Sequence, residues 1–386
     1  MAGAAESVNK FTLDLHKVLM GKGDAAKNTF YSPASICVAL GMVYAGARGE
    51  TADEMATAMH WEGHKPMLPS KHQEHKELSV ALNNPGATNE MSIANNLFLQ
   101  KDFSILKEFT DICQKYYDAD ISLVDYKTDF EGARKHVNQW VEERTKKKIC
   151  DLIAPGVFNM LTRLTLVNAI YFKGMWDKPF KKEHSHSSEF RTTSSNEVEV
   201  EMMFQKSKFK YLHSDKYKCK LLELPYVDTQ LSMVLVLPDE TEGLARFEQD
   251  LTHDKMTDIF NSVSSQRPAD VEVYIPKFKM TSEFKLNEAL QELGMKKMFD
   301  QAAADFTGIS LPPEHLFVSA VLHKAFVEVN EEGTEAAAAT AAIMMMRCAI
   351  MREPLVFRAD HPFLFLIQHC KSKCVLFMGR VMNPVE

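Results

Sequence analysis

The residues best suited to chemistry in this sequence are an adjacent arginine and cysteine, Arg347 and Cys348, which follow an uncharged run at 336–346. An exposed arginine in an extended segment is what a trypsin-like protease binds in its acidic specificity pocket. The first half of the run is alanine and threonine, whereas solvent loops are usually built from Gly, Pro, Asn, Asp and Ser. This composition favours a segment that is exposed in one state and buried in another.

Small residues recur at every second position of this segment: Thr334, Ala336, Ala338, Thr340 and Ala342. In an extended strand these side chains share one face, and all are small enough to pack beneath a sheet. The charge of Glu335 falls on the opposite face. An alanine-rich surface helix is the alternative, because alanine is the best helix former. It leaves the break at Gly333 and the strand-like flanking runs unexplained.

No other set of residues in the sequence supports catalysis. The GxSxG, Walker, HExxH and GxGxxG patterns are absent. Cys370 and Cys374 have the wrong spacing for a redox pair and no partner pair for zinc, so we interpret them as core cysteines at strand ends. His184 and His186 have no third ligand nearby and indicate a solvated loop. We therefore predict that the chain is not an enzyme and uses no cofactor or metal.

Composition limits the class of protein further. The chain has 386 residues, 45% of them hydrophobic, and no linker or internal repeat, which predicts one domain over 1–386. A net charge of -7 with both signs interspersed argues against nucleic acid as a partner. The basic run at 144–148 falls at a predicted helix end, where cations are favourable. No apolar run approaches the roughly 20 residues that span a bilayer, so no membrane partner is predicted.

The cysteines and the first residues predict the compartment. Seven cysteines without disulfide-like spacing favour free thiols in a reducing compartment. The polar start lacks the charged end and apolar core of a signal peptide. We therefore expect a leaderless cytoplasmic monomer, with release by a non-classical route as an alternative.

Local signals predict the elements around the uncharged run. Ser32, followed by a proline, predicts the N-cap of a buried helix that ends at a glycine. Thr128 with Glu131 predicts a capping box at the start of another helix. The runs 219–227 and 231–238 predict a β-hairpin. Because helices dominate early and strands late, the predicted class is α+β.

Four segments together resemble the serpin family: 28–51, 164–180, the stretch from 331, and 359–367. The likeness spans essentially the whole chain and points to the ovalbumin-like intracellular branch, including its thrombin and leukocyte elastase inhibitors. It implies a single serpin-type α+β domain with mixed β-sheets and a surrounding set of helices. It also implies an exposed reactive-centre loop at about 331–357.

The resemblance assigns roles within this loop. In the family the cleaved bond lies fourteen residues past the hinge glycine, and that count from Gly333 reaches Arg347, so the reactive bond is Arg347–Cys348. The implied hinge residues are Glu331, Gly333, Thr334, Ala336, Ala338 and Thr340. Met345 or Met346 would suit chymotrypsin-like or elastase-like enzymes at a shifted bond. Arg352 is out of register, so a protease that cleaves after it would use the chain as a substrate and would not be trapped.

The resemblance also implies residues that control opening of the main sheet: Ser35, Asn168, Trp176, Lys277 and His323. Ser35, Asn168 and His323 match positions at which family members hold the central strands with buried hydrogen bonds. Lys277 and Glu331 match an ion pair near the base of the loop, with Trp176 beside it. Loss of that pair would invite loop-sheet polymers, because an open sheet accepts any strand.

The function implied is a suicide-substrate inhibitor of trypsin-like serine proteases. The protease would be held in a covalent complex at Arg347 while the loop inserts into the main sheet. Two alternatives stay open: a cross-class inhibitor of papain-like cysteine proteases, and a non-inhibitory binding or storage serpin. The latter usually has charged or bulky hinge residues, which this chain lacks. The thiol of Cys348, beside the reactive bond, is a hypothetical redox switch.

Overall fold

The computed structural model describes residues 2–22, 26–61, 69–83, 89–119, 121–311, 315–332 and 355–386. The α-helices in these ranges are α1 (Ala2–Lys22), α2 (Pro33–Gly46), α3 (Gly49–Ala58), α4 (Pro69–Asn83), α5 (Lys107–Ile112), α6 (Phe130–Arg144), α7 (Leu244–Gln249), α8 (His253–Ser264) and α9 (Asn287–Glu292). The strands are β1 (Thr29–Tyr31), β2 (Glu90–Gln100), β3 (Ile121–Val124), β4 (Leu164–Lys173), β5 (His186–Thr193), β6 (Asn196–Ser214), β7 (Cys219–Pro225), β8 (Leu231–Pro238), β9 (Ala269–Pro276), β10 (Phe278–Lys285), β11 (Val318–Val329), β12 (Leu355–Arg358), β13 (Phe363–His369) and β14 (Cys374–Val381).

The strands form two mixed sheets, which confirms the predicted α+β class. The smaller sheet has the order β10–β11–β4–β2–β3. The larger sheet has the order β1–β14–β13–β8–β7–β6–β9–β12, and β5 pairs with β6. The predicted hairpin is confirmed, since β7 and β8 are antiparallel neighbours. In the smaller sheet the adjacent strands β4 and β11 run parallel, whereas β10 is antiparallel to β11 and β2 to β4.

Both faces of the smaller sheet are buried at its central strand β4, because alternate residues of β4 join different cores. Leu166 and Ile170 belong to the main core, which contains α2, and Val167 and Ala169 belong to a smaller core under α6. A strand buried on both faces is mostly apolar, and β4 is apolar except at Thr165, Asn168 and its last residue, Lys173. Asn168 has the same parity as Leu166, so its side chain points into the main core.

Helix α2 lies inside the main core because nearly all of its residues are apolar, and all of them are buried. The predicted N-cap is confirmed: Ser32 Oγ accepts a hydrogen bond of 3.1 Å from the backbone N–H of Ser35. The helix ends at Gly46, where an added Cβ would lie 2.1 Å from Ile309. The close approach at this point therefore requires glycine.

The start of α6 shows that the predicted capping box is wrong. The N-cap is Asp129, whose carboxylate accepts a hydrogen bond of 2.9 Å from the Gly132 N–H. The hydroxyl of Thr128 is engaged with Asp125, and Glu131 lies in the first helical turn. Asp outranks Thr as an N-cap residue, so the helix begins one position later than the Thr128 pattern indicates.

Candidate functional site

The predicted reactive bond and most of the predicted hinge lie outside the described residues: Gly333, Thr334, Ala336, Ala338, Thr340, Arg347 and Cys348. The chain is described as far as Glu332, just past β11, and again from Leu355, where β12 begins. Strand β12 is the edge strand of the larger sheet and pairs in parallel with β9. The predicted loop therefore joins the C-terminal end of β11 in one sheet to the edge of the other.

Three of the predicted sheet-opening residues meet beneath the parallel pair β4–β11. Asn168 on β4 and His323 on β11 are directly opposite in register. Asn168 Nδ2 donates a hydrogen bond of 2.6 Å to Ser35 Oγ on α2, and Asn168 Oδ1 contacts His323 Nδ1. The three residues are 0–1% exposed. One buried hydrogen-bond network thus joins both strands to the central helix.

The same network includes Asn95, which the sequence analysis missed, and Ser32, which it predicted only as an N-cap. Asn95 on β2 lies opposite Asn168, and its Oδ1 accepts from Asn168 Nδ2. Ser32 donates its backbone N–H to His323 Nε2 at 3.2 Å. The available signal for Asn95 was the pair of amides, Asn95 and Asn96, within the otherwise apolar run 93–99, because polar groups inside a strand of the core require partners. We call the whole set the central polar cluster: Ser32, Ser35, Asn95, Asn168 and His323.

The hydrogen bonds determine the protonation state of His323. Because the Ser32 N–H donates to Nε2, this nitrogen carries no proton, and Nδ1–H donates to Asn168 Oδ1. Burial lowers the pKa of His323 to about 3, against a smaller opposing effect of the Asn168 hydrogen bond. The ring is therefore neutral at physiological pH. Protonation would place an N–H at Nε2, where it would face the N–H donor of Ser32.

We expect His323 to make the fold less stable as the pH falls from about 6.5 towards 3. In this window the unfolded chain binds a proton that the folded chain rejects, so the free energy of unfolding falls by up to about 1.4 kcal/mol per pH unit. Urea unfolding of the wild type and of His323→Gln, which cannot titrate, measures the effect. The stability advantage of the wild type should shrink on acidification. An advantage that stays constant down to about pH 4 would contradict the assignment.

A second group of side chains lies at the C-terminal end of β11, and we call it the loop-base cluster: Trp176, Ser185, Glu201, Lys277 and Glu331. Lys277 Nζ lies 2.6 Å from Glu331 Oε1 and 2.5 Å from Glu201 Oε1. Ser185 Oγ donates to Glu331 Oε1 at 2.8 Å. Glu331 is only 3% exposed, so this carboxylate needs the partners that surround it. Ser185 and Glu201 were not anticipated from the sequence.

Electrostatics keep the central ion pair of the loop-base cluster charged. Burial would raise the pKa of Glu331, but hydrogen bonds from Lys277 and Ser185 outweigh it, and the pKa lies below its ordinary value. Burial would lower the pKa of Lys277, but Glu201 and Glu331 outweigh it, and that pKa is raised. The stabilisation from Glu331 is therefore present above the ordinary carboxyl pKa and is lost as the pH falls through the folded value.

Trp176 ties the loop base to the segment that follows β4. Its indole Nε1 donates to the carbonyl oxygen of Asn330 at 3.0 Å. Its ring stacks on Tyr226 with centroids 4.7 Å apart and planes 10° from parallel. The backbone N–H of Phe180 donates to the carbonyl oxygen of Glu331 at 2.8 Å. The ends of β4 and β11 are therefore joined where the predicted loop begins.

The remaining candidate residues are two cysteines near the β13–β14 turn and the two histidines that flank Ser185 of the loop-base cluster. Cys370 is half-buried and Cys374 is buried, and both are free thiols. His186 is exposed, and its Nδ1 lies 3.2 Å from the carbonyl oxygen of His184. Among the described residues, no three His, Cys, Asp or Glu side chains are placed to hold a metal ion. Within the same ranges, no helix is both long enough and apolar enough to cross a bilayer.

Comparisons with known proteins agree with this geometry. The sequence model of the family described as Serpin (serine protease inhibitor) matches residues 6–384. Serpin B6 of Pongo abelii is 44% identical over 380 residues, which cover 98% of this chain and 99% of that protein. The leukocyte elastase inhibitor of Xenopus laevis is 40% identical and covers 100% of both chains. The structure of uncleaved ovalbumin is 30% identical, with a TM-score of 0.89 and coverage of 99% and 100%. The resemblance noted in the sequence is thereby confirmed, and this chain belongs to the serpin family.

Proposed function

We propose that this chain is a single-domain suicide-substrate inhibitor of trypsin-like serine proteases. The protease attacks the bond after Arg347 and is held there as a covalent acyl ester. The observation that carries the proposal is the parallel pairing of β4 with β11. A segment that turns back from the C-terminal end of β11 runs antiparallel to both strands, so it can enter between them and pair with each.

The balance of energies favours this insertion once the loop is cut. A new strand from 334 to 344 replaces one parallel ladder by two antiparallel ladders, which are slightly more stable per residue. At about 1 kcal/mol net for each hydrogen bond, the gain is roughly 10 kcal/mol before side-chain burial. Separating β4 from β11 breaks the contact between Asn168 and His323, at a cost of about 1–3 kcal/mol. The central polar cluster therefore delays opening of the sheet without preventing insertion.

The reactive bond can be tested with trypsin and two matched variants. Wild type and Arg352→Ala should form a complex that survives denaturing electrophoresis and should release a peptide that begins at Cys348. Arg347→Ala should lose about 100-fold or more in association rate, because the acidic pocket is left with an unpaired buried charge. Complex formation by Arg347→Ala at the wild-type rate, or a peptide that begins elsewhere, would refute the assignment.

The same assay separates the proposal from its alternatives. A complex with a papain-like cathepsin but not with trypsin would indicate the cross-class inhibitor. Cleavage without a complex for every protease tested, including chymotrypsin-like and elastase-like enzymes, would indicate a non-inhibitory serpin.

We further propose that the chain acts as a monomer in the cytoplasm. The free thiols of the described cysteines support a reducing compartment.

A further inference from the structure

A cavity of about 400 Å³ lies in the larger sheet where β6 changes its pairing partner, and Asp177 and Lys178, which follow Trp176 of the loop-base cluster, border it. Strand β6 pairs with β9 up to Phe209, opposite Ala269. It pairs with β7 from Lys210, opposite Glu223. The change of partner leaves a half-open space that the turn between β13 and β14 borders through Lys373. Its volume falls in the range of small-molecule sites in proteins.

Four lysines line this cavity: Lys178, Lys208, Lys210 and Lys373. Lys210 has a carboxylate partner, Glu223 Oε2 at 3.1 Å. Among the described residues, no carboxylate pairs with the other three lysines. The carboxylates of Asp177 and Glu223 also line the cavity, so four cations face two anions, and the lining keeps a net positive charge that favours an anion.

Two of these lysines are held in place by neutral groups. Lys178 Nζ donates to the carbonyl oxygen of Lys208 at 2.8 Å and lies 5.2 Å from the ring centroid of Phe209. Lys373 Nζ donates to Ser264 Oγ at 2.8 Å. Neutral acceptors position an ammonium group without cancelling its charge. Both ammonium groups are therefore held at the cavity by neutral partners and not by carboxylates.

The wall of the cavity includes a buried carboxylate with fixed partners. Glu223 is 6% exposed, and its Oε1 accepts a hydrogen bond of 3.0 Å from Ser232 Oγ. This buried carboxylate fixes Lys210 at the wall. Phe209 and Pro268 add apolar lining. The cavity thus combines point charges, which bind phosphate, with an apolar surface.

We propose that this cavity binds a small phosphate-bearing anion. Its phosphate groups contact Lys178, Lys208 and Lys373, and any organic portion packs against Phe209 and Pro268. Two sources share this chemistry: inorganic polyphosphate and a nucleotide. The proposal does not depend on protease inhibition, so either can fail without the other.

Calorimetric titration of the full chain with sodium tripolyphosphate, and separately with ATP, tests the proposal. Lys208→Gln removes a charge and, within the described part of the chain, no side-chain hydrogen bond or ion pair. Lys285→Gln is the matched control, because Lys285 is an exposed lysine on β10 of the other sheet. We expect Lys208→Gln and Lys373→Gln each to weaken binding about fivefold, and Lys285→Gln to leave it unchanged. Tighter binding of ATP than of tripolyphosphate would identify the ligand as an organic phosphate. Equal binding of the two would identify it as an inorganic phosphate.

The thiol of Cys370, which lines the cavity, provides a second readout. Saturating tripolyphosphate should slow alkylation of Cys370 by iodoacetamide and leave the exposed Cys150 unaffected, as measured by mass analysis of the two peptides. The proposal is overturned if binding does not saturate, if the lysine variants bind as well as the control, or if both thiols are protected equally. Binding of a long sulfated polysaccharide without binding of tripolyphosphate or ATP would also overturn it.

Discussion

Cleavage after Arg347 is expected to raise the melting temperature of this chain. The cut frees the segment from 334 to 344 to enter between β4 and β11, which adds a strand worth roughly 10 kcal/mol. For a chain of 386 residues this corresponds to a rise of about 10 °C or more. An ordinary nick in a surface loop leaves stability unchanged or lowers it, so the sign of the change identifies the mechanism.

Scanning calorimetry of the intact and the nicked protein measures this difference. Mass analysis must first show that the nick lies after Arg347. Nicked Ala336→Glu is the control, since it carries the same break but places a carboxylate on the face that would be buried. Only the wild type should gain heat resistance. An unchanged melting temperature of the nicked wild type would rule out loop insertion, whatever the family membership of the chain.

Ala336→Glu is expected to convert the inhibitor into a substrate, whereas Ala337→Glu is expected to leave inhibition intact. The two positions lie on opposite faces of the inserted strand, because side chains alternate. At 336 the new carboxylate must pass beneath the sheet without a partner, at a cost of several kcal/mol. A cost of about 3 kcal/mol slows insertion roughly 100-fold, while deacylation takes roughly 0.1 s. Hydrolysis of the acyl ester is then faster than insertion of the loop, and the protease is released.

The ratio of covalent complex to cleaved chain on a denaturing gel, with trypsin as the protease, measures this partition. The two variants differ from the wild type by the same residue change at adjacent positions, and neither creates a new bond for trypsin. Equal yields of complex from both variants would show that the face of the segment is irrelevant. Loss of complex in Ala337→Glu alone would show that the predicted register is wrong by one residue.

Local patterns in the sequence predicted the local structure well. The N-cap at Ser32 and the hairpin of β7 and β8 depend on residues a few positions apart, and both are confirmed. The capping box at Thr128 failed for an equally local reason. Asp129, the adjacent residue, is the better N-cap, and the hydroxyl of Thr128 is engaged with Asp125.

The sequence by itself determined the serpin resemblance, the α+β class and the alternating small residues from Thr334, because each is a pattern of residue types along the chain. The resemblance indicated some of the polar groups that meet, but only the tertiary structure decided the complete sets and their contacts. Asn168 and His323 are 155 positions apart, and Ser32 and Asn95 join them solely because β4 is placed between β2 and β11 over α2. Buried polar groups must find partners, but the strand order decides which partners are within reach.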